Sequence, residues 1–308
     1  MTDILIIIPA YNSSHFVGSC ITSVQSQTYA HWHLVIVDDG STDDTAAIAL
    51  TFAETDSRIT VCQQENAGVA AARNRGLSYL TPSIDFLLWL DNDDIILPDT
   101  LEALKRKLLE NEAATAAFGL PRPIDRHGKI INDNLLQSFG FSRSRIHNGV
   151  LVDDQSEFVD FSHFAVWDCI ATPGQVLIRR CIIDKVGGFD SNTVPSDDWD
   201  LWLRLTLHGP FVCVKQFVIN KRSHEENVSK QGRVMAVAEP IIRRKLATSD
   251  LLTPEQRRIA KLGHFHSCRV KLSWCKNQVK RKKFAIAAKS AYSALKSYSA
   301  YLKTPYKT

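Results

Sequence analysis

Nowhere do the 308 residues contain an apolar run long enough to cross a bilayer. The N-terminal stretch Ile4–Ile8 is too short for a signal sequence or an anchor, and no basic region precedes it. No glycine-rich phosphate loop of either nucleotide-binding type is present, which removes those two readings. The seven cysteines (Cys20, Cys62, Cys169, Cys181, Cys213, Cys268, Cys275) form no CxxC pair and have no histidine at zinc spacing. Such an odd, unpatterned set points to reduced thiols in a cytosolic protein. Internal repeats and low-complexity tracts are missing as well. What remains, at 44% hydrophobic and 23% charged residues, is an ordinary globular composition, long enough for one large domain or two small ones.

The net charge of +4 conceals a segregation. Residues 221–308 hold 21 Lys/Arg against 5 Asp/Glu, whereas residues 1–220 hold 16 against 28. A distinct basic C-terminal segment facing an anionic partner is expected. There Arg269, Lys271, Lys276 and Lys280–Lys283 are interleaved with Phe265, Val270, Leu272, Trp274, Val279 and Phe284. That mixture suits an interfacial helix on an anionic leaflet. It equally suits a bundle that packs its apolar face on the rest of the chain and leaves a solvated basic face. No recognised nucleic-acid motif supports the remaining option, so no nucleic-acid partner is expected.

Short apolar runs alternate with helical patterns over the first hundred residues. Ile4–Ile8, Leu34–Val37, Ile59–Cys62 and Phe86–Leu90 read as strands; Ser14–Gln27, Thr42–Glu54, Ala67–Leu80 and Leu101–Glu110 read as helices. This order predicts an α/β fold with a mostly parallel central sheet and helices on both faces. From about 112 to 180, Pro121, Pro123 and Gly128 suggest irregular loops with a strand near Ala114–Phe118. Further on, Gln175–Arg179 reads as a strand and Cys181–Val186 as a short helix closed by Gly187-Gly188. Asp197–Leu207 is strongly amphipathic, Phe211–Val214 and Phe217–Asn220 read as two strands, and everything after about 230 reads as helix.

The most informative run is Leu90-Asp91-Asn92-Asp93-Asp94, which directly follows the buried-strand pattern Phe86–Leu90. Its acids emerge at a strand's C-terminal end, where open α/β sheets place their ligands. Crowded carboxylates need a counter-charge, and Mg²⁺ or Mn²⁺ would supply it. The alternative is a solvated acidic turn before the next helix. A second pair, Asp38-Asp39, also ends a strand, ahead of Gly40-Ser41. Pro9-Ala10-Tyr11-Asn12 ends the first strand, with Tyr11 able to stack on a base and Asn12 able to hold the turn.

Seven strings carry a resemblance: IIIPAYN (6–12), SVQSQTY (23–29), IVDDGSTDDT (36–45), ENAGVAAARNRGL (65–77), LDNDDIILPDTL (90–101), VGGFD (186–190) and DDWDLWLRL (197–205). In this order and spacing, across about 200 residues, the chain resembles glycosyltransferase family 2, inverting enzymes with the GT-A fold. The resemblance implies that residues 1–110 form the nucleotide-sugar-binding half and 111–229 the acceptor-binding half, leaving 230–308 as a basic helical extension. Pro9, Tyr11 and Asp39 would line the base pocket, Asn12 would support the turn, and Asp38 would face the ribose. Asp91-Asn92-Asp93 matches the family's DXD motif, with Asp93 the main metal contact and Asp91 near the ribose. Arg73 would lie near the diphosphate or brace the DXD acids. His224, in the string Lys221–Ser229, would reach the metal or the diphosphate.

An inverting transfer also needs a general base. The family places it in an acidic pair opening an amphipathic helix; here Asp198 is the expected base and Asp197 binds the acceptor. Asp200 and Trp202 share that helix as anchors. Trp167-Asp168 would floor an acceptor or sugar pocket, or else pack in the core. The processive members' Gln-x-x-Arg-Trp motif is missing, which favours one sugar per event. The resemblance thus implies transfer of a hexosyl unit from a nucleotide-sugar, UDP-linked by expectation, to a glycan or lipid-linked acceptor. The site would be the cytoplasmic face of the membrane, held by peripheral contact. The rival is a catalytically silent nucleotide- or glycan-binding protein that kept the fold.

Overall fold

Alternate residues of the first strand, β1 (Ile4–Ala10), go to opposite sides of one sheet. Ile4, Ile6 and Ile8 enter one apolar core, Leu5 and Ile7 the other, and all are fully buried. The strand reads as a continuous apolar run because both its faces are covered. The computed structural model describes residues 2–134, 144–147, 150–153, 156–225, 227 and 232–280, with isolated positions between 288 and 299.

β2 (Trp32–Asp38), β3 (Ile59–Gln63) and β4 (Phe86–Trp89) join β1 in parallel, in the order β3-β2-β1-β4. Beyond β4 come β10 (Val176–Arg179), β6 (Ala116–Asp125), β11 (Phe211–Ser223) and β5 (Ile95–Ile96), while β9 (Phe158–Val159) pairs with β11. β10 runs against both its neighbours, and β5 and β9 run against β11; the other six strands share one direction. The expectation of a mostly parallel α/β sheet holds. A separate hairpin pairs β7 (Ser144–His147) with β8 (Val150–Asp153).

Helices α1 (Val17–Gln25), α2 (Thr45–Thr55) and α4 (Thr100–Leu109) bury apolar residues in the core of Ile4, Ile6 and Ile8. The opposite core takes α3 (Val69–Gly76), the single turn α5 (Phe161–Phe164), α6 (Arg180–Val186) and α7 (Asp197–Leu205). It also takes Ala238, Ile242 and Leu246 of α8 (Gly232–Thr248) and Ala260 of α9 (Pro254–Lys280). The described start of the C-terminal segment therefore packs its apolar face on the sheet domain. Much of the basic-aromatic stretch lies outside the described side chains, including Arg269, Lys271, Trp274 and Lys280–Lys283.

Three sequence expectations are corrected. The helix expected at Ala67–Leu80 is α3 followed by a 3₁₀ turn at Leu77–Tyr79, and it starts after Gly68 at φ 89°. β6 runs straight through Pro121 and Pro123, where loops were expected. β10 pairs only with Ala116–Phe118, so the missing proline N–H groups cost no bond to that neighbour. The two strands expected at 211–220 are one, β11, interrupted by irregularities between Cys213 and Ile219.

Candidate active site

The strand ends and one helix start meet at a single cleft of about 590 Å³. β1 delivers Pro9, Tyr11 and Asn12, β4 delivers Asp91–Asp94, and α7 opens with Asp197-Asp198. The end of β11 adds Lys221, Arg222, His224 and Asn227, and the segment before β10 adds Asp168, Ile170, Ala171 and Pro173.

Each acid of the Asp91–Asp94 turn has a different set of partners. Asp91 Oδ1 accepts from Arg73 Nη2 at 2.8 Å, and its Oδ2 accepts from Thr172 Oγ1 at 3.1 Å. Asp94 is 2% exposed; it accepts from Arg222 N at 2.8 Å, and its Oδ2 lies 2.8 Å from the same Thr172 Oγ1. Burial, followed by the charges of Asp93 and Asp91, holds the Asp94 carboxyl well above the usual carboxylate range. Asn92 points away from the acids and donates to the Pro9 carbonyl at 2.9 Å, tying the turn to β1. Asp93 Oδ2 lies 2.8 Å from His224 Nε2 and accepts from Asn227 Nδ2 at 3.1 Å. Burial and the Asp91 charge raise its pKa, while His224 opposes the rise. The His224 ring stacks at 4.9 Å on Phe16, over which the Arg222 guanidinium also lies.

Arg73 is the bridge of the site. It is 6% exposed; one Nη atom donates to Asp91 and the other to Asp197, both at 2.8 Å. Its guanidinium also stands 4.8 Å from the centre of the Phe189 ring. Arg73 thus stands against Asp91 of the DXD string and also lines the cleft. The adjacent Asn74 exchanges two hydrogen bonds of 2.8 Å with the Phe189 backbone. The strings ARN and VGGFD are thus one joint.

Asp198 is half-buried at the start of α7, with Oδ1 accepting from the Trp199 amide at 2.8 Å. Desolvation, then the charge of Asp197, push its pKa up to about 7, against the pull of Arg73. Asp168 keeps part of its surface open to the cleft. Protein packed around its carboxyl and the Asp198 charge still raise its pKa. Asp200 and Trp202 are buried, and Asp200 holds Arg204 at 2.9 Å.

Asp38 and Asp39 do not line this cleft. Asp39 accepts from Gln64 Nε2, Ala67 N and Gly68 N at 2.7, 2.9 and 2.8 Å, which fixes the loop into α3. Asp38 is 2% exposed, and its Oδ1 has no hydrogen-bond partner among the described residues. Asn12, at φ 45°, accepts from Thr42 N at 2.8 Å. Trp167 is half-buried outside the cleft lining. Sequence reasoning missed Thr172, Arg222 and Asn227. The first carries no local signal; the other two flank His224 in a string already singled out.

Among the described residues, no group of three or more His, Cys, Asp or Glu side chains is arranged to hold a metal ion. Mg²⁺ and Mn²⁺ need no such cage, since they commonly take one or two protein ligands and leave the rest to water and phosphate oxygens. The adjoining Asp93 Oδ2 and His224 Nε2 fit that requirement. Asp91 has both oxygens engaged by Arg73 and Thr172.

A mostly parallel sheet, covered on both faces and carrying this acidic cleft at its strand ends, defines a glycosyltransferase of the GT-A fold. The chain belongs to glycosyl transferase family 2, whose model matches residues 5–167. It is 42% identical over 107 residues to the UDP-Glc:alpha-D-GlcNAc-diphosphoundecaprenol beta-1,3-glucosyltransferase WfgD of Escherichia coli, covering 34% of this chain and 41% of that protein. The chain spans less than two thirds of the length of several curated relatives that it matches. Among solved structures, S. aureus TarS 1–349 in complex with UDP-GlcNAc superposes with a TM-score of 0.65 at 15% identity, covering 99% of this chain and 90% of that one. The mannosyltransferase PcManGT from Pyrobaculum calidifontis, in complex with GDP-Man and Mn²⁺, gives 0.64 at 16% identity, covering 98% and 86%. No helix among the described residues is long and apolar enough to cross a membrane.

Proposed function

We propose that this glycosyltransferase moves a hexosyl unit, with inversion, from a UDP-sugar to a glycan or lipid-linked oligosaccharide during surface polysaccharide synthesis. The observation that carries the reading is the Arg73 bridge, which ties Asp91 of the DXD string to Asp197 of the acid pair inside one cleft. Donor and acceptor chemistry are thereby held in one register. The UDP-GlcNAc complex of TarS and the printed activity of WfgD support a UDP-linked donor, and WfgD's diphosphoundecaprenol substrate supports a lipid-linked acceptor.

In this reading Asp198 takes the proton of the acceptor hydroxyl. The hydroxyl oxygen then attacks the anomeric carbon from the side opposite the departing nucleoside diphosphate. A base with a pKa of about 7 is partly ionised at neutral pH and still basic enough to be useful. Asp197, oriented by Arg73, holds the acceptor. Tyr11 and Pro9 face the base. Asp93, His224 and Asp91 would hold Mg²⁺ or Mn²⁺, which would neutralise charge growing on the leaving diphosphate. The Mn²⁺ complex of PcManGT supports this assignment. The surplus of Lys and Arg after residue 221 supports peripheral contact with an anionic membrane at its cytoplasmic face. Such contact predicts sedimentation with anionic but not neutral vesicles, weakening as salt rises; salt-independent binding would contradict it.

Calorimetric titration with UDP, GDP, TDP and CMP, each with and without Mn²⁺, tests the donor assignment. Metal-dependent binding of UDP alone is expected. Binding of another nucleotide would replace the donor class, and binding of none would defeat the reading.

A further inference from the structure

Helix α8 belongs to none of the motif strings, yet two of its cations reach the helix that carries Asp198. Arg243 is 1% exposed. Its guanidinium donates to the Ala165 carbonyl and, at 3.0 Å, to that of Val166. It also stands 4.9 Å from the centre of the Trp199 ring. Ala165 and Val166 lead through Trp167 to Asp168 on the cleft wall, and Trp199 directly follows Asp198. The Trp199 indole N–H closes the joint by donating to the Phe164 carbonyl at 2.9 Å.

Lys245 grips the same helix from another side. Its Nζ lies 2.6 Å from Asp200 Oδ1 and 2.7 Å from Asp190 Oδ2. Helix α9 then closes over the joint so tightly that a Cβ at Gly263 would stand 2.2 Å from the Ala165 carbonyl oxygen.

Packing alone does not call for this arrangement. A buried guanidinium loses its hydration, and an apolar side chain of similar volume is often at least as stable. The carboxylate of Glu239 lies 3.5 Å from Arg243 Nε. What the cation supplies is direction: a planar fork aimed at two carbonyls, with its face on an indole.

We propose that Arg243 and Lys245 are positioning residues for sugar transfer, locking the Asp198 helix against the Asp168 segment and so setting the spacing of the acceptor side of the cleft. This rests on the assignment of Asp198 as the base. Neither residue lines the cleft, so a positioning role on its acceptor side predicts a loss in turnover larger than any loss in donor affinity.

The full chain is compared with Lys245→Met, Lys245→Arg and Arg243→Met. The measurements are UDP affinity, melting temperature and UDP release from UDP-GlcNAc and UDP-Glc with Mn²⁺ present and water as the acceptor. The Lys245 side chain is 38% exposed, so its replacement is expected to fold. In Lys245→Met, kcat should fall by at least about tenfold while UDP affinity and KM for the sugar nucleotide stay within about twofold. Lys245→Arg should restore most of the rate. An unchanged kcat, or UDP affinity lost in step with it, overturns the proposal.

Hydrogen exchange needs no substrate. Amides of 165–168 and 197–200 should exchange at least about tenfold faster in Lys245→Met and Arg243→Met, with those of β1 unchanged. Unaltered protection there overturns the proposal. A wild-type chain that releases UDP from neither sugar nucleotide defeats the functional reading instead, and exchange still judges the clamp.

Discussion

Asp198 combines two features that a solvated helix-cap aspartate lacks: it is desolvated and it sits beside a second carboxylate. Both raise its pKa, to about 7, which is the range a base needs and a cost to the fold. The sign follows from proton linkage. With the folded pKa above the unfolded one, the native state binds the extra proton, so stability is full below about pH 4 and declines as pH rises toward 7. Asp198→Asn removes that penalty. The variant should be more stable than wild type at pH 8, by roughly 1–3 kcal/mol after allowance for partial exposure. The difference should vanish near pH 4. Denaturant melts at the two pH values measure it, and equal stability at pH 8 would show that Asp198 is an ordinary surface acid. Tyr11, Asn12 and Asp91–Asp93 were legible at this scale because each ends a strong strand pattern. Thr172 was not: a lone threonine between Ala171 and Pro173 gives no hint that folding will set it between Asp91 and Asp94.

Among elements, α3 shows how a helix with little amphipathic character is kept in place. Its Gly76 lets it approach β1 so closely that a Cβ there would meet Ile7 Cγ2 at 2.4 Å. Its far side is held by Asn74, whose amide satisfies both the N–H and the carbonyl of Phe189. Asn74→Ala leaves those buried groups unmet and should cost about 2–4 kcal/mol. It should also weaken the Arg73 bridge, since Phe189 floors that guanidinium. Thermal unfolding and turnover should therefore fall together; a neutral change in both would refute the joint. Element boundaries were readable wherever periodicity was unbroken, as in β1, β2 and α4. They failed at Pro121 and Pro123, because proline's penalty depends on which neighbouring strand needs the missing N–H. They failed again at β11, where a bulged strand imitates two short ones.

At the scale of the molecule, the expected site residues other than Asp38, Asp39 and Trp167 line one cleft. Arg73 joins positions 18 and 124 residues away from it. That closure was implied by the family resemblance and by nothing local, since no periodicity reports which loops will meet. The C-terminal segment was legible only as basic and helical. Its burial against α5, and with it the grip of Arg243 on Ala165 and Trp199, depends on long-range packing that charge counting misses.

The central claim is that Asp198 deprotonates the acceptor within a cleft that binds a UDP-sugar independently. The most direct test measures UDP binding and UDP release from UDP-GlcNAc and UDP-Glc, wild type against Asp198→Asn, from pH 5 to 9. Wild-type kcat/KM should rise toward pH 7 and level off above it. Asp198→Asn should bind UDP within about threefold of wild type yet lose 10²–10⁴-fold in rate, roughly the contribution of a general base, with the pH-dependent rise abolished. Turnover by Asp198→Asn at the wild-type rate, with the same pH profile, would contradict the account.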